Sequence, residues 1–242
     1  MEKILQTLRY LAKSFTAITV IGFLSMLGCL AIADLVFYLT DRYNAIHLVV
    51  TLNSPMDITA AIFALIIGMV LFIINLKVTM ANGITRKTYL LANLPAAGLV
   101  AAALSIFNVL VVQVHALFWP MIMTSSLFYP GSHWVGLLIV QFALYLLLIV
   151  LGWFITMAYY RSRVPARWAI SLSPVALFAL AKAASARFHV AVMGAIWEYL
   201  QVSLGLEAGN PNPYRAAVSM LIYSILLYGL VYLLIRRAPL KD

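Results

Sequence analysis

The side chains that could do chemistry in this chain are few and widely spaced. The four histidines are His47, His115, His133 and His189, and each lies alone in or beside a different segment. A metal site needs several such ligands at one point, and no spacing here implies one. We therefore expect no metal site and no cofactor.

The carboxylates are equally scattered, and none falls in the middle of an apolar segment, where a proton relay would need one. Asp57 follows Ser54 and Pro55 at a predicted helix start, where an acidic side chain is favourable. We therefore assign Asp57 a structural role.

The sequence contains no motif of a nucleotide-binding loop, a zinc protease or a serine hydrolase. His189, Glu198 and Gln201 come nearest to a set of polar groups that a lipid-modifying membrane enzyme would need. They occupy one short stretch, so we expect no catalytic residues and no enzyme activity in this chain.

Composition indicates that lipid surrounds most of the chain. Of the 242 residues, 65% are hydrophobic and only 10% are charged, and the mean hydropathy is +1.03. Soluble domains carry roughly 25% charged residues. The net charge of +9 comes from short clusters between apolar runs. This pattern is typical of membrane topology control and excludes a nucleic-acid-binding surface.

The apolar runs predict an all-α polytopic membrane protein with a single transmembrane domain over 1–242. We predict six membrane-spanning helices, at about 15–40, 56–80, 90–116, 134–158, 168–184 and 214–235. Residues 1–14 are amphipathic, which predicts an interfacial helix or a cytosolic extension of the first span. Residues 188–206 are apolar but contain Glu198, and we interpret them as a re-entrant or interfacial helix.

Lysine and arginine predict the orientation of this arrangement. With six spans, the side that holds both termini carries twelve of the 16 cations, namely Lys3, Arg9, Lys13, Lys77, Arg86, Lys87, Arg161, Arg163, Arg167, Arg236, Arg237 and Lys241. Cytoplasmic loops carry the excess of positive charge, so both termini should lie in the cytoplasm of a multi-pass cell-membrane protein.

The segment from Asn82 to Leu94, NGITRKTYLLANL, resembles the sequence after the second helix of ABC-2-type transporter permeases of Gram-positive bacteria. The resemblance implies that this segment is a coupling helix, which docks on a separate ATPase subunit. The residues it assigns to coupling are Asn82, Gly83, Ile84, Thr85, Arg86, Lys87 and Tyr89. Gly83 would allow the turn, and Tyr89 would hold the helix in the interface. Arg86 and Lys87 would bind acidic groups or lipid phosphates. Alternatively, Arg86 and Lys87 only fix the topology.

The same resemblance implies partners and cargo. The chain would be one permease half, paired with an identical or a second permease in contact with membrane lipids, and would export a hydrophobic or amphipathic peptide, antibiotic or lipid-like molecule. Its substrate-binding residues are unknown. The first alternative is a non-transporting membrane immunity or sensor protein, and the second is a lipid-modifying membrane enzyme.

Overall fold

The protein forms a bundle of long helices. A computed structural model describes residues 2–40, 55–115, 117, 124–162, 167–168, 171–172, 179, 182, 192–206 and 211–236. Its helices are α1 (Glu2–Thr40), α2 (Pro55–Ala81), α3 (Arg86–His115), α4 (Thr124–Phe128), α5 (Trp134–Arg161), α6 (Val192–Ser203) and α7 (Pro213–Arg236). The described residues contain no strand.

Five of these helices are long and apolar enough to cross a membrane: α1, α2, α3, α5 and α7. A span needs about 20 residues, because the hydrocarbon core is about 30 Å thick and a helix rises about 1.5 Å per residue. The chain is therefore an all-helical protein with the character of a membrane protein. The predicted span 168–184 lies largely outside the described residues.

The N-terminal segment is continuous with the first span. α1 contains 39 residues, which corresponds to about 58 Å. Leu11 and Phe15 are buried in the main core, and the Ser14 hydroxyl donates to Asn75 Oδ1 of α2 at 3.2 Å. Residues 2–14 are therefore continuous with the first span and pack against the bundle, and their position relative to a membrane interface stays a prediction.

α2 and α5 cross in close contact because each has a glycine at the crossing. A Cβ atom on Gly152 would lie 2.6 Å from the Leu65 carbonyl oxygen, and one on Gly68 would collide with the Ile149 carbonyl. Small residues allow such close backbone approach in membrane bundles. Next to this crossing Trp153 stacks on Phe72 with ring centroids 5.3 Å apart.

α5 and α7 run parallel. A Cβ atom on Gly136, near the start of α5, would lie 3.1 Å from Pro213, where α7 begins. Further along both helices the rings of Trp153 and Tyr228 have centroids 6.4 Å apart. The chain therefore leaves α5 at one end of the bundle and enters α7 at the other.

We name the two ends of the bundle by these elements. The turn end contains the α2–α3 connection, Asn82–Thr85, and the last turns of α5 and α7. The far end is where α2, α5 and α7 begin. α6 has 12 residues, too few to cross a bilayer, and the Tyr199 and Tyr223 hydroxyls, 3.1 Å apart, connect it to α7.

Candidate functional site

Several hydrogen bonds fix the turn between α2 and α3. Gly83 has φ +73°, a left-handed conformation that glycine adopts without strain. The N–H of Gly83 donates to the Met80 carbonyl at 3.0 Å, and that of Ile84 to the Thr79 carbonyl at 3.1 Å. This pair of bonds is the Schellman motif, which ends α2 and satisfies its last carbonyls. The Asn82 side-chain amide adds a third bond, to the Val78 carbonyl at 2.8 Å.

The next helix begins immediately with its own cap. Thr85 Oγ1 accepts a hydrogen bond from the N–H of Thr88 at 3.2 Å. A threonine that accepts from the third helical residue is a favourable N-cap. The turn is therefore fixed at both sides, and it presents the exposed residues Asn82, Gly83, Thr85 and Lys87 at the turn end.

Arg86 connects this turn to the end of α7. Its Nη1 donates to the carbonyl oxygen of Ile235 at 3.1 Å and to that of Arg236 at 3.3 Å. The last carbonyls of a helix have no partner within the helix and carry partial negative charge, so a guanidinium stabilises them. Arg86 thus has a structural contact that the sequence did not indicate.

Tyr89 lies inside the bundle. The side chain is fully buried, its hydroxyl donates to the Phe72 carbonyl at 2.7 Å, and its ring lies 5.5 Å from that of Phe72. Leu90 is buried as well. Tyr89 therefore fixes α3 against α2 instead of resting at a membrane interface, and of the predicted coupling residues it has the least surface for a partner.

A polar cluster around the partly buried Asp57 lies at the far end, and sequence reasoning missed it. We define the far-end cluster as Asp57, Asn108, Ser125, Gln141 and Tyr145, which come from α2, α3, α4 and α5. Asn108 Nδ2 donates to Asp57 Oδ1 and lies 3.2 Å from the Tyr145 hydroxyl. Gln141 Nε2 lies 3.2 Å from Asp57 Oδ1 and 3.3 Å from Ser125 Oγ. One carboxylate oxygen therefore joins three helices.

A cavity of about 190 Å³ adjoins the far-end cluster. Asp57, Ser125 and Gln141 form its polar wall. The remaining wall is apolar or aromatic and comes from Phe128, Tyr129, Val140, Leu144, Leu204, Leu206 and Met220. The Tyr129 hydroxyl closes one side, because it donates to the Leu204 carbonyl at 2.6 Å. Burial raises the pKa of the Tyr129 hydroxyl.

The residues considered for other chemistry do not converge in the described part of the chain. Glu198 lies on the exposed surface of α6, and His133 is exposed just before α5. His47 and His189 lie outside the described residues. Within the described ranges, no three histidine, cysteine, aspartate or glutamate side chains come together as metal ligands.

The five helices that are long and apolar enough to cross a membrane are typical of the class of helical membrane proteins. No protein-family model, curated protein or solved structure matches the chain.

Proposed function

We propose that the chain is the membrane-spanning permease subunit of an ATP-binding-cassette exporter of the ABC-2 type. It would move a hydrophobic or amphipathic substrate with energy from ATP hydrolysed by a separate subunit. The observation that supports this best is the Arg86 contact, which connects the exposed α2–α3 turn to the end of α7.

This contact would transmit a force on the turn to other helices of the bundle. The turn is short and fixed by caps on both sides, so a force on it would move α2 and α3 together. Through Arg86 the same force would reach α7, which packs along α5. A partner protein bound to residues 82–87 could therefore shift four helices at once, namely α2, α3, α5 and α7. Lys87 is exposed there and could bind an acidic group on an ATPase subunit.

We further propose six membrane crossings. The parallel course of α5 and α7 supports this, since the chain between them must return along the bundle. Ser171 hydrogen-bonds to Tyr159 near the end of α5, so the return starts at the turn end. In lipid the returning backbone would have to be helical, which fits the proposed span 168–184. Residues 188–206 would then be re-entrant or interfacial at the far end.

The proposed orientation places the turn end and both termini in the cytoplasm, with the protein in the cell membrane. Described cations at or near the turn end include Arg9, Lys13, Lys87, Arg161 and Arg236, as the positive-inside rule requires of a cytoplasmic face. As one permease half, the chain would pair with a second copy or a related permease, and its exposed apolar faces would contact that partner and lipid.

A second candidate is a non-transporting immunity or sensor protein of the membrane. The far-end cavity favours it, because a chain that only binds a ligand needs a pocket and no coupling surface. The two candidates differ in whether an ATPase subunit must be bound at the turn end.

The test is purification of the tagged full chain from its native host in mild detergent, followed by assay of ATP hydrolysis in the purified material. Wild type should bring an ATPase subunit with a Walker A motif. Lys87→Glu should lose it, because the reversed charge would repel the acidic groups proposed above. Arg9→Glu is the matched control: it reverses an exposed cation on α1 and should retain the ATPase. If Lys87→Glu and wild type purify with equal ATPase activity, the docking role is wrong.

A further inference from the structure

We propose that the groove between α1 and α3 binds an anionic phospholipid, with one acyl chain in the groove and the phosphate at Arg9 and Lys13. The site lies in the leaflet on the side of the turn end. It rests on the membrane character of these helices and is independent of the proposed exporter function, because neither cation belongs to the α2–α3 turn.

The groove is apolar and has a volume of about 280 Å³. On α1 its walls include Ala12, Phe23 and the exposed Thr16, and on α3 they include Ala96 and Ala103. From Ala12 to Phe23 the groove follows α1 for about 16 Å, since a helix rises about 1.5 Å per residue. That length matches the hydrocarbon of one leaflet, which is about 15 Å, half of the bilayer core.

Two phenylalanine rings close the groove at the end nearer the bilayer centre. Phe23 of α1 stacks on Phe107 of α3, with ring centroids 4.0 Å apart. Phe107 lies about one helical turn beyond Ala103, the last groove residue of α3. The other end, at Ala12, leads toward the turn end. The groove can therefore hold a chain whose polar group stays at the turn end.

The polar groups in the groove are satisfied within α1 itself. The Thr16 hydroxyl donates to the Ala12 carbonyl at 2.7 Å, and the Thr19 hydroxyl donates to the Phe15 carbonyl at 2.7 Å. A hydrocarbon chain needs no hydrogen bond from such a wall. A peptide backbone in the same place would leave its own N–H and C=O groups unpaired, which is costly in lipid. The groove therefore suits an acyl chain.

Two cations stand at the open end of the groove. Arg9 lies three residues before Ala12 and Lys13 lies directly after it, and both are exposed. Long side chains of a helix point toward its N-terminus, so these two extend from the groove toward the turn end. They are also four residues apart, where like charges on a helix repel each other. A phosphate group between them removes this repulsion.

The two helices of the groove supply no carboxylate near these cations. α3 contains no acidic residue, and α1 contains none between Glu2 and Asp34. Within the part of the chain that the structure describes, neither Arg9 nor Lys13 takes part in an ion pair. A second copy in the same orientation would bring further cations, such as its Lys87, to the turn end. An anionic headgroup supplies the complementary charge.

The experiment measures phospholipid binding to the purified full chain by native mass spectrometry in detergent. The probes are phosphatidylglycerol and phosphatidylcholine with identical acyl chains. Wild type should bind phosphatidylglycerol about 10- to 30-fold more tightly, the effect expected of two cations near an anionic headgroup. The double variant Arg9→Gln with Lys13→Gln should bind both lipids equally. The matched control, Arg161→Gln with Arg236→Gln, removes the same charge from the last turns of α5 and α7 and should keep the preference.

Tryptophan variants test the position of the acyl chain. Thr16→Trp places a large ring in the groove, so it should weaken phosphatidylglycerol binding about 10-fold or more, because several methylene groups lose their contacts. Ala17→Trp adds the same ring at the next position, which is exposed and outside the groove, and should bind like wild type. This pair keeps the test decisive if the double variant does not fold.

A phosphatidylglycerol preference that survives replacement of Arg9 and Lys13, or equal binding by the two tryptophan variants, would overturn the proposal. The same spectra report whether the chain is a monomer or a dimer. If Thr16→Trp turned a wild-type dimer into a monomer and still bound phosphatidylglycerol, a second copy would occupy the groove and the proposal would be wrong. Neither measurement depends on an ATPase subunit, so the lipid site and the exporter function can fail separately.

Discussion

Arg86 Nη1 lies 3.1 Å from the carbonyl oxygen of Ile235, although 149 residues separate the two in the chain. Positively charged residues after the second helix are readily explained as topology signals, and that explanation requires no specific contact. The bond to Ile235 is specific, because it places a guanidinium at the C-terminus of α7. A helix C-terminus is stabilised by a nearby cation, so this arginine contributes to folding as well as to charge.

Replacement of Arg86 by alanine should destabilise the bundle by about 1 to 2 kcal/mol, the usual value of a hydrogen bond with one charged partner, reduced by partial exposure. Thermal unfolding in detergent measures the loss. Lys87→Ala is the control at the next position, and its exposed side chain predicts a change within about 0.5 kcal/mol. Equal unfolding temperatures for the two variants would mean that the Arg86 hydrogen bonds contribute nothing to the stability of the bundle.

Tyr89 should behave as a core residue. Tyr89→Phe removes only the hydroxyl that donates to the Phe72 carbonyl, so we expect a loss of about 1 kcal/mol. Tyr89→Ala also empties a fully buried site and should cost about 3 to 5 kcal/mol. Co-purified ATPase activity should be unchanged in Tyr89→Phe. Loss of the ATPase with normal stability would indicate that a partner contacts this hydroxyl after all.

The α2–α5 crossing should tolerate no side chain at Gly152. An added methyl group would collide with the backbone of Leu65 and Gly68, so Gly152→Ala should lower stability by about 1 to 3 kcal/mol. Gly98 is the matched control, since it is also helical but no atom lies within 4 Å of its added Cβ. Gly98→Ala should be neutral or stabilising by up to about 1 kcal/mol. Comparable losses in the two variants would contradict the close crossing.

The sequence predicted helix positions well where a long apolar run has clear limits. The segment 56–80 corresponds to Pro55–Ala81, and 134–158 to Trp134–Arg161. A proline at a first helical position and arginine in a last turn mark such limits. The surroundings of residues 1–14 were harder to predict. An amphipathic pattern indicates one apolar face, but it does not indicate whether lipid or protein covers that face. In the structure, α2 and α3 cover it.

The far-end cluster could not be predicted by the same reasoning. Asp57, Asn108 and Gln141 lie on three helices, and each alone is an ordinary polar residue near the end of an apolar run. Asp57 at a helix start has a sufficient local explanation. Its convergence with two amides depends on the rotation and depth of each helix, and hydropathy contains no such information. The Arg86 bond to Ile235 was missed for the same reason.

The proposed six crossings predict which sites share a side of the membrane. The test introduces single cysteines into a Cys29→Ser background and labels them with a membrane-impermeant maleimide in intact cells. Thr85 and Arg167 are exposed and near the turn end, so cysteines there should label only after the cells are opened. Ser132 and Tyr214 lie beside the starts of α5 and α7, and cysteines there should label in intact cells.

Labelling of cysteines at Arg167 and Tyr214 tests the sixth crossing. If the chain between α5 and α7 crosses the membrane, cysteines at these two positions must label from opposite sides. The parallel packing of Gly136 with Pro213, and of Trp153 with Tyr228, is the observation from which we expect that result. Labelling of both from the same side would rule out the sixth crossing. If Thr85→Cys labelled in intact cells, the α2–α3 turn would face outward, beyond the reach of a cytoplasmic ATPase.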